Sequence, residues 1–530
     1  MSEISQQSPF SRRSFLGTVA AGAAGLVVGC PMGARADSVE PSSTSKSDGE
    51  DQNQNQTTAS DRFGRMFPRL APFAPASPGL TQALIELGRP GGILDANDPL
   101  DRSPKDLIVD LSLSVNNPNN PTHTAGTTFF GQFLDHDITF DANSPLGIAT
   151  EPTLSKNSRT PSLDLDSVYG GGPVAEQAFY NATDHIKLAI EHGGSFEDLP
   201  RRSDGTPVIS DPRNDSNVII SGMHAAFIMF HNAAVDRVRA SGVTNPAETF
   251  ARARDLVLRH YHWIVVHEFL PQMVGQAMVD DIMGRGRRFY APKSGKAFIP
   301  VEFQGAAYRF GHSMIRPSYR ANLAGDNGQP FFALVFKPSE EGRADPDDLR
   351  GGTRAARRFV GWQTFFDFGD GQVKPNKKID TKLSTPLFNL PLGAIASHDI
   401  PTSLPQRSLL RHLTWQLPSG QAIAKKIGAT PLALGDLAEL SGLGQGLDRS
   451  TPLFYYVLKE AQLVADGLHL GPVGGRIVAE VFFGLLQQDP TSYLSVEPTW
   501  RPTLPSRTPG DFRMVDLLTF AGVDPVSRGQ

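Results

Sequence analysis

Gly131-Gln132-Phe133-Leu134-Asp135-His136-Asp137-Ile138-Thr139-Phe140 brings an amide, two carboxylates and an imidazole together within ten residues. On a helix, Gln132, Asp135 and His136 stand at i, i+3 and i+4 and share one face. Asp137 is turned from them by about 100° and points elsewhere. One helix therefore offers an amide, a carboxylate and an imidazole to one site and a second carboxylate to another.

The second site has a partner in Thr160-Pro161-Ser162-Leu163-Asp164-Leu165-Asp166-Ser167, a proline-marked loop with alternating oxygen-bearing side chains. Asp137, Thr160, Ser162, Asp164 and Asp166, with backbone carbonyls, make a hard oxygen set of the kind that suits Ca²⁺. The spacing is not that of an EF-hand, and taken alone the loop reads as a solvated turn. Two further segments carry chemistry-bearing residues. Asp211-Pro212-Arg213-Asn214-Asp215-Ser216-Asn217 precedes a helical stripe, and Tyr308-Arg309-Phe310-Gly311-His312-Ser313-Met314 carries a lone histidine. A lone His312 is ordinarily a satisfied core residue.

In this order and spacing the four segments closely resemble the animal haem peroxidase family, over roughly residues 63–500. That family has a GQFLDHD-like distal motif, an arginine eleven residues before a helix histidine (here Arg213 and His224) and a YRFGH-like proximal motif. Leu417-Pro418-Ser419-Gly420-Gln421 and Gly471-Pro472-Val473-Gly474-Gly475 look like its bacterial branch. The resemblance implies haem b and Ca²⁺ as cofactors, and hydrogen peroxide with a small organic donor or a halide as substrates. It makes His136 the distal acid–base, Arg213 the stabiliser of charge on the breaking O–O bond and His312 the iron ligand. Gln132 sits over the distal pocket, Arg411 faces a haem propionate, and Ser408 takes the place of the family asparagine that bonds the proximal histidine. Asp137, Thr160, Ser162, Asp164 and Asp166 hold calcium.

The departures are specific. Asp135 occupies the first position from which mammalian members form an ester to haem. Ser216 occupies the second and cannot form one, and Asn217 replaces a methionine that some members bond to a vinyl group. At most one covalent link, through Asp135, is expected. Two other readings remain open. A cyclooxygenase-like or fatty-acid dioxygenase needs a radical tyrosine three residues before the proximal histidine, where Arg309 stands and Tyr308 is one residue out of register. A haem- or calcium-binding scaffold would keep the fold without the chemistry. His260, His262, His267 and Glu268 do not form the zinc HExxH pattern and read as helix packing. Gly471–Gly475, with no following Lys-Ser/Thr, is not a phosphate loop.

Bulk properties frame these motifs. With 39 % hydrophobic residues, a 530-residue chain can bury a large core. A net charge of −5 with no basic block argues against nucleic acid as a partner. The single cysteine, Cys30, rules out an intramolecular disulfide, a cysteine-based metal site and a CxxCH haem tether. Ser11-Arg12-Arg13-Ser14-Phe15-Leu16-Gly17 reads as a twin-arginine export signal, and the weakly apolar run after it is too short for a transmembrane span. Val27-Val28-Gly29-Cys30 resembles a lipobox, which would put a lipid anchor on Cys30. Ala34-Arg35-Ala36 resembles an ordinary cleavage site. The destination is thus the periplasm, the cell surface as a lipoprotein, or the exterior. The expected organisation is an export segment over 1–36, a disordered polar linker over 37–60 and one domain over 61–530. Apolar stripes predict helices over 217–240, 249–268 and 473–487. No sustained two-residue alternation appears, so the fold class is mainly α, a single large domain of helices joined by long ordered loops with little β. Sequence leaves oligomeric state open.

Overall fold

Ten α-helices of seven residues or more lie among the described residues. In chain order they are α1 (Pro78–Leu87), α2 (Gly126–Ile138), α3 (Val218–Ala240), α4 (Pro246–Ile264), α5 (Gln276–Arg285), α6 (Leu404–Thr414), α7 (Gly420–Ile427), α8 (Leu453–Val464), α9 (Pro472–Gln488) and α10 (Met514–Phe520). Among the described residues, strands are confined to three two-stranded antiparallel pairs. The mainly helical class expected from the sequence is what is found. This computed structural model describes residues 61–530, apart from 294–295, 353–354 and 396. The expected export segment, Cys30 and the polar linker lie outside the described residues.

The core is built around α3. Asn217 caps its first turn by accepting from the amides of Ile219 and Ile220, the usual work of an asparagine at this position. Met223, Phe227, Phe230 and Ala234 are fully buried. By length and composition α3 could cross a membrane, with mean hydropathy 1.5. Here it is an inner helix, packed against α2, α4 and α10. Phe227 stacks on Phe133 of α2 with ring centres 4.5 Å apart, which fixes the helix that carries His136.

Two local features position the site. After α4 the helix widens into a π-turn, Val265–Phe269. Such turns insert a residue and re-aim the side chains that follow, and Phe269 here reaches the central cavity. The second feature is α9, whose first-turn amides Val473 N and Gly474 N donate to Glu460 Oε2 of α8 at 2.8 and 3.3 Å. A buried carboxylate thus occupies the place where a phosphate would sit. Gly420 opens α7 where any Cβ would lie 1.9 Å from Cγ of Tyr456, so a side chain is sterically excluded there.

One strand pair forms where the sequence shows no sustained two-residue alternation. Ser318–Asp326 and Gln329–Leu334 form an antiparallel hairpin. Asn327 and Gly328 link them at φ +52° and +83°. Both values are positive, as a tight two-residue hairpin turn requires, and Asn-Gly is the pair that tolerates it best. Two register irregularities interrupt the ladder, which is why the period-2 pattern is broken in the sequence.

Candidate active site

The helical face expected from the sequence forms. Gln132, Asp135 and His136 of α2 line a cavity of about 1100 Å³, measured with its open mouth. His312, on the short helical turn Gly311–Met314, lines the same cavity. So do Tyr308, Arg309, Ser216 and Asn217, and the apolar side chains Ile315, Val335, Phe336 and Leu387 add further wall. Both positions implied for ester links, Asp135 and Ser216, therefore face one space.

His136 is 5 % exposed. Burial, helped by the positive charge of Arg213, pushes its pKa down to about 3, so the imidazole is neutral. Its Nδ1 donates to Oδ1 of Asn214 at 2.9 Å. Gln132 is loosely held, with Oε1 accepting from Asn217 Nδ2 at 3.4 Å and Nε2 reaching Ser216 Oγ at 3.5 Å. Burial raises the pKa of Asp135 against the opposing pull of Arg213 and Arg309.

Arg213 does not line the cavity. Its Nη2 donates to Asp211 Oδ2 at 2.7 Å and to the His136 carbonyl at 3.1 Å. Nη1 lies 3.7 Å from Asp135, and the guanidinium covers Phe140 at 4.1 Å. The cause is Asp211, a fully buried carboxylate. Burial works against its charge, but Arg213, His136 and Arg159 outweigh that and hold its pKa at about 2. Arg213 is thus bound behind the distal helix, next to Asp135 and His136. The arginine that does reach the cavity is Arg309, whose Nε donates to the Gln304 carbonyl at 2.8 Å. Burial, then Arg411, lowers its pKa to about 10, still well above neutrality. Arg411 is likewise absent from the lining, being paired with Asp141 at 2.6 Å and donating to the Ser144 carbonyl at 2.9 Å.

On the other wall, burial and the charge of Arg309 push the pKa of His312 down to about 3. Ser408 of α6 lies with Oγ 3.4 Å from His312 Nδ1. That hydroxyl spends its proton on the Leu404 carbonyl at 3.0 Å, so towards His312 it accepts. A neutral imidazole with hydrogen on Nδ1 leaves its Nε2 lone pair free to ligate a metal. Tyr308 stacks on Phe303 at 4.6 Å and donates its phenol proton to the Gly131 carbonyl of α2 at 2.9 Å. Ser408 thus stands where the sequence puts a proximal partner, and Tyr308 reaches the cavity despite its register.

The other face of α2 meets the 160s loop. Asp137, Asp164 and Asp166 bring carboxylate oxygens within 4.8 Å of one another, with Asp137 fully buried. Burial and its two neighbours push Asp137 well above the usual carboxylate range. Burial, then Asp166, takes Asp164 to about 7. Asp137 accepts from Tyr261 Oη at 3.0 Å and from Leu165 N at 3.2 Å. Thr160 joins the cluster through its amide, which donates to Asp166 Oδ2 at 3.0 Å. The Ser162 hydroxyl turns away to Asp489 Oδ2 at 3.2 Å, leaving only its carbonyl for the set. Arg159 bridges the two sites, 3.3 Å from Asp166 and 3.5 Å from Asp211. His260, His262 and His267 bond to Thr503 and Leu504, to Leu163 and to Tyr493 respectively, so they do not converge on a metal.

Sequence reasoning missed Asn214, Asp211, Arg159 and the cavity position of Arg309. Only Arg309 left a signal, because three residues before His312 puts the two on one helical face.

Two neutral imidazoles and an arginine, lining one partly apolar cavity beside a cluster of carboxylates, make a donor set of a kind that can hold a haem. The sequence model of the animal haem peroxidase family matches residues 144–340, a span that takes in Arg213 and His312 but begins after His136. Peroxidase mlt-7 of Caenorhabditis elegans is 30 % identical over 275 residues, 41 % of this chain and 37 % of that protein. Mouse thyroid peroxidase is 24 % identical over 242 residues, 40 % of this chain and 26 % of that one. The chain thus spans less than two fifths of the length of these relatives. Among solved structures, peroxidase A from Dictyostelium discoideum superposes with a TM-score of 0.60 over 88 % of this chain and 94 % of that one, at 15 % identity. Residues 144–340 thus resemble the animal haem peroxidase family in sequence, and the fold is shared with that peroxidase.

Proposed function

We propose that this chain is a haem peroxidase that reduces hydrogen peroxide at the expense of a small organic donor or a halide. The observation that carries the proposal is the pairing of His136 and His312, two neutral imidazoles on one cavity, each tied through Nδ1. The donor set fits haem b. His312 would hold the iron, the apolar wall would take the macrocycle, and Arg309 would face a propionate, with Arg411 kept behind it by Asp141. Bound there, haem would supply the redox chemistry that the two-electron reduction of peroxide needs.

The remaining work belongs to the chain. His136 takes the proton from the inner peroxide oxygen and returns it to the outer one, so that water leaves. Arg213 acts from behind the helix, lending positive charge to Asp135 and His136. Asp135 offers one carboxylate to the haem rim, and Ser216 offers none, so at most one ester forms. Gln132 contacts the halide or donor. Asp137, Asp164 and Asp166, with Thr160 and the Ser162 carbonyl, hold Ca²⁺, since three carboxylates this close, one of them fully buried, repel one another unless a cation joins them. The fold occupies 61–530. The leader argues for twin-arginine export to the periplasm, the cell surface or the exterior, with a lipid anchor if Cys30 is the mature first residue. Peroxide removal outside the cytoplasm would serve the response to oxidative stress.

The presence of Tyr308 in the cavity favours a second reading, oxygenation of an apolar substrate such as a fatty acid through a tyrosyl radical. The absorption spectrum of the purified chain with haem, before and after one equivalent of hydrogen peroxide, tests the first reading. An intense Soret band that shifts rapidly is expected. A band indifferent to peroxide favours the oxygenase or scaffold reading, and absence of haem uptake by a folded chain overturns the haem assignment.

A further inference from the structure

Behind His136 lies a pair of hydrogen bonds that join it through Asn214 to His224. Oδ1 of Asn214 is 2.9 Å from Nδ1 of His136. Nδ2 of the same amide is 2.9 Å from Nδ1 of His224. The three side chains are 5 %, 0 % and 1 % exposed, so no water competes for these bonds. An amide oxygen only accepts and an amide nitrogen only donates. The hydrogen of His136 therefore sits on Nδ1, and Nδ1 of His224 carries a lone pair. Burial disfavours a charge on either ring. A neutral ring has one N–H, so Nε2 of His136 carries its free lone pair.

We propose that Asn214 is the positioning residue of the distal base, holding His136 in the tautomer whose Nε2 can take a proton, with His224 bracing the amide from the core helix. This rests on the reading of His136 as the base that acts on peroxide. The chain of three groups has two conceivable polarities, and only one serves that base. With the amide reversed, Nδ2 would face His136, its hydrogen would move to Nε2, and no lone pair would remain for the substrate proton. The observed polarity also survives the proton's arrival. An imidazolium donates from both nitrogens, and Oδ1 still accepts from Nδ1, whereas a reversed amide would set N–H against N–H. The backbone holds the amide in place as well. Asn214 lies in the turn Pro212–Asp215, and its N–H donates to the Asp211 carbonyl at 3.0 Å. His224 stands on α3, a different element. The charged groups acting on His136 are Arg213, Asp211 and Arg159, and none of them touches its Nδ1.

The test compares Asn214→Leu, Asn214→Asp and His136→Ala in the haem-loaded full chain by rapid mixing with hydrogen peroxide over a pH series. Nitrogen NMR of ¹⁵N-histidine-labelled protein reports the ring tautomer independently of activity. Asn214→Leu should keep its haem band and melting temperature but react on the order of 10²-fold more slowly, with His136 present as mixed tautomers. Asn214→Asp keeps an acceptor, so it should react near the wild-type rate with His136 still in the Nδ1–H tautomer. Asn214→Leu reacting within about threefold of wild type, or a leucine variant with an unmixed Nδ1–H tautomer, overturns the proposal. So does Asn214→Asp proving as slow as Asn214→Leu. If His136→Ala itself reacts at the wild-type rate, the underlying reading of the distal base fails instead. A slow His136→Ala beside a fast Asn214→Leu rejects only the role of Asn214.

Discussion

His136 and His312 are the same residue type in similarly desolvated places, and their neighbours separate their tasks. His136 leans on an amide that is itself braced, which suits a ring that must gain and lose a proton without turning. His312 leans at 3.4 Å on a hydroxyl whose own proton goes to a carbonyl, a weak acceptor that leaves the ring a neutral ligand. His136→Ala should therefore retain haem yet lose roughly 10²–10⁴-fold in the peroxide reaction, read by rapid mixing. A variant that reacts as fast as wild type would remove His136 from the chemistry. Tyr308 separates the two functional readings. Its hydroxyl is committed to the Gly131 carbonyl, a group too weakly basic to take a phenol proton. Tyr308→Phe should cost about 1 kcal/mol of stability for one lost hydrogen bond and leave peroxide turnover within a factor of about two. Complete loss of substrate oxidation in that variant, with peroxide cleavage intact, would favour the oxygenase.

At the scale of elements, α2 belongs to both sites at once. His136 and Asp137 are adjacent in sequence and face opposite ways, so whatever steadies Asp137 steadies His136. A cation at the Asp137–Asp164–Asp166 cluster should stabilise the fold by about 2.7 kcal/mol at a hundredfold excess over its dissociation constant. Chelation should lower the melting temperature and slow the peroxide reaction while the haem band stays, and Asp164→Asn should do the same. Melting and rate both indifferent to chelator and to that substitution would mean that the cluster is not a cation site. The linkage through α2 was legible in the sequence because helical geometry alone separates Asp137 from Gln132, Asp135 and His136. The loop carrying Asp164 and Asp166 could be matched to it on chemistry. The partners of Arg213 and His136 were not legible. Asp211 and Asn214 flank Arg213 in a short turn, and nothing in that spacing shows that one captures its guanidinium while the other reaches across to His224. The 318–334 hairpin was missed for a different reason: the bulges that let it curve against the core erased the alternation, although Asn327-Gly328 marked its turn.

Across the whole molecule, acid lability follows from how many imidazoles the core has buried. Nine histidines, among them His123, His231, His260 and His412 with pKa values near 4 as well as His136 and His312 near 3, are held below the ordinary histidine value chiefly by burial. In the unfolded chain these groups protonate near pH 6.5, and in the folded chain only at lower values. Between those values the unfolded state binds more protons, so stability falls as pH falls, by about 1.4 kcal/mol per pH unit for each such group. Buried carboxyls with raised pKa values act in the opposite direction, since they take protons in the folded state first. Where a bound cation keeps the aspartate cluster ionised, as proposed, those are Glu268 and Glu460 at about 7, together with Asp98, Asp135 and Glu302. Five such groups cannot offset nine, and the histidines should dominate. Thermal melts of the calcium-loaded protein from pH 7.5 down to 4.5 should show a melting temperature that falls steadily below about pH 6.5, with net proton uptake on unfolding measured at pH 5.5. A melting temperature that holds or rises towards pH 5 would mean that these imidazoles are not buried neutral in the fold, and the case for two neutral rings on one cavity would fail with it.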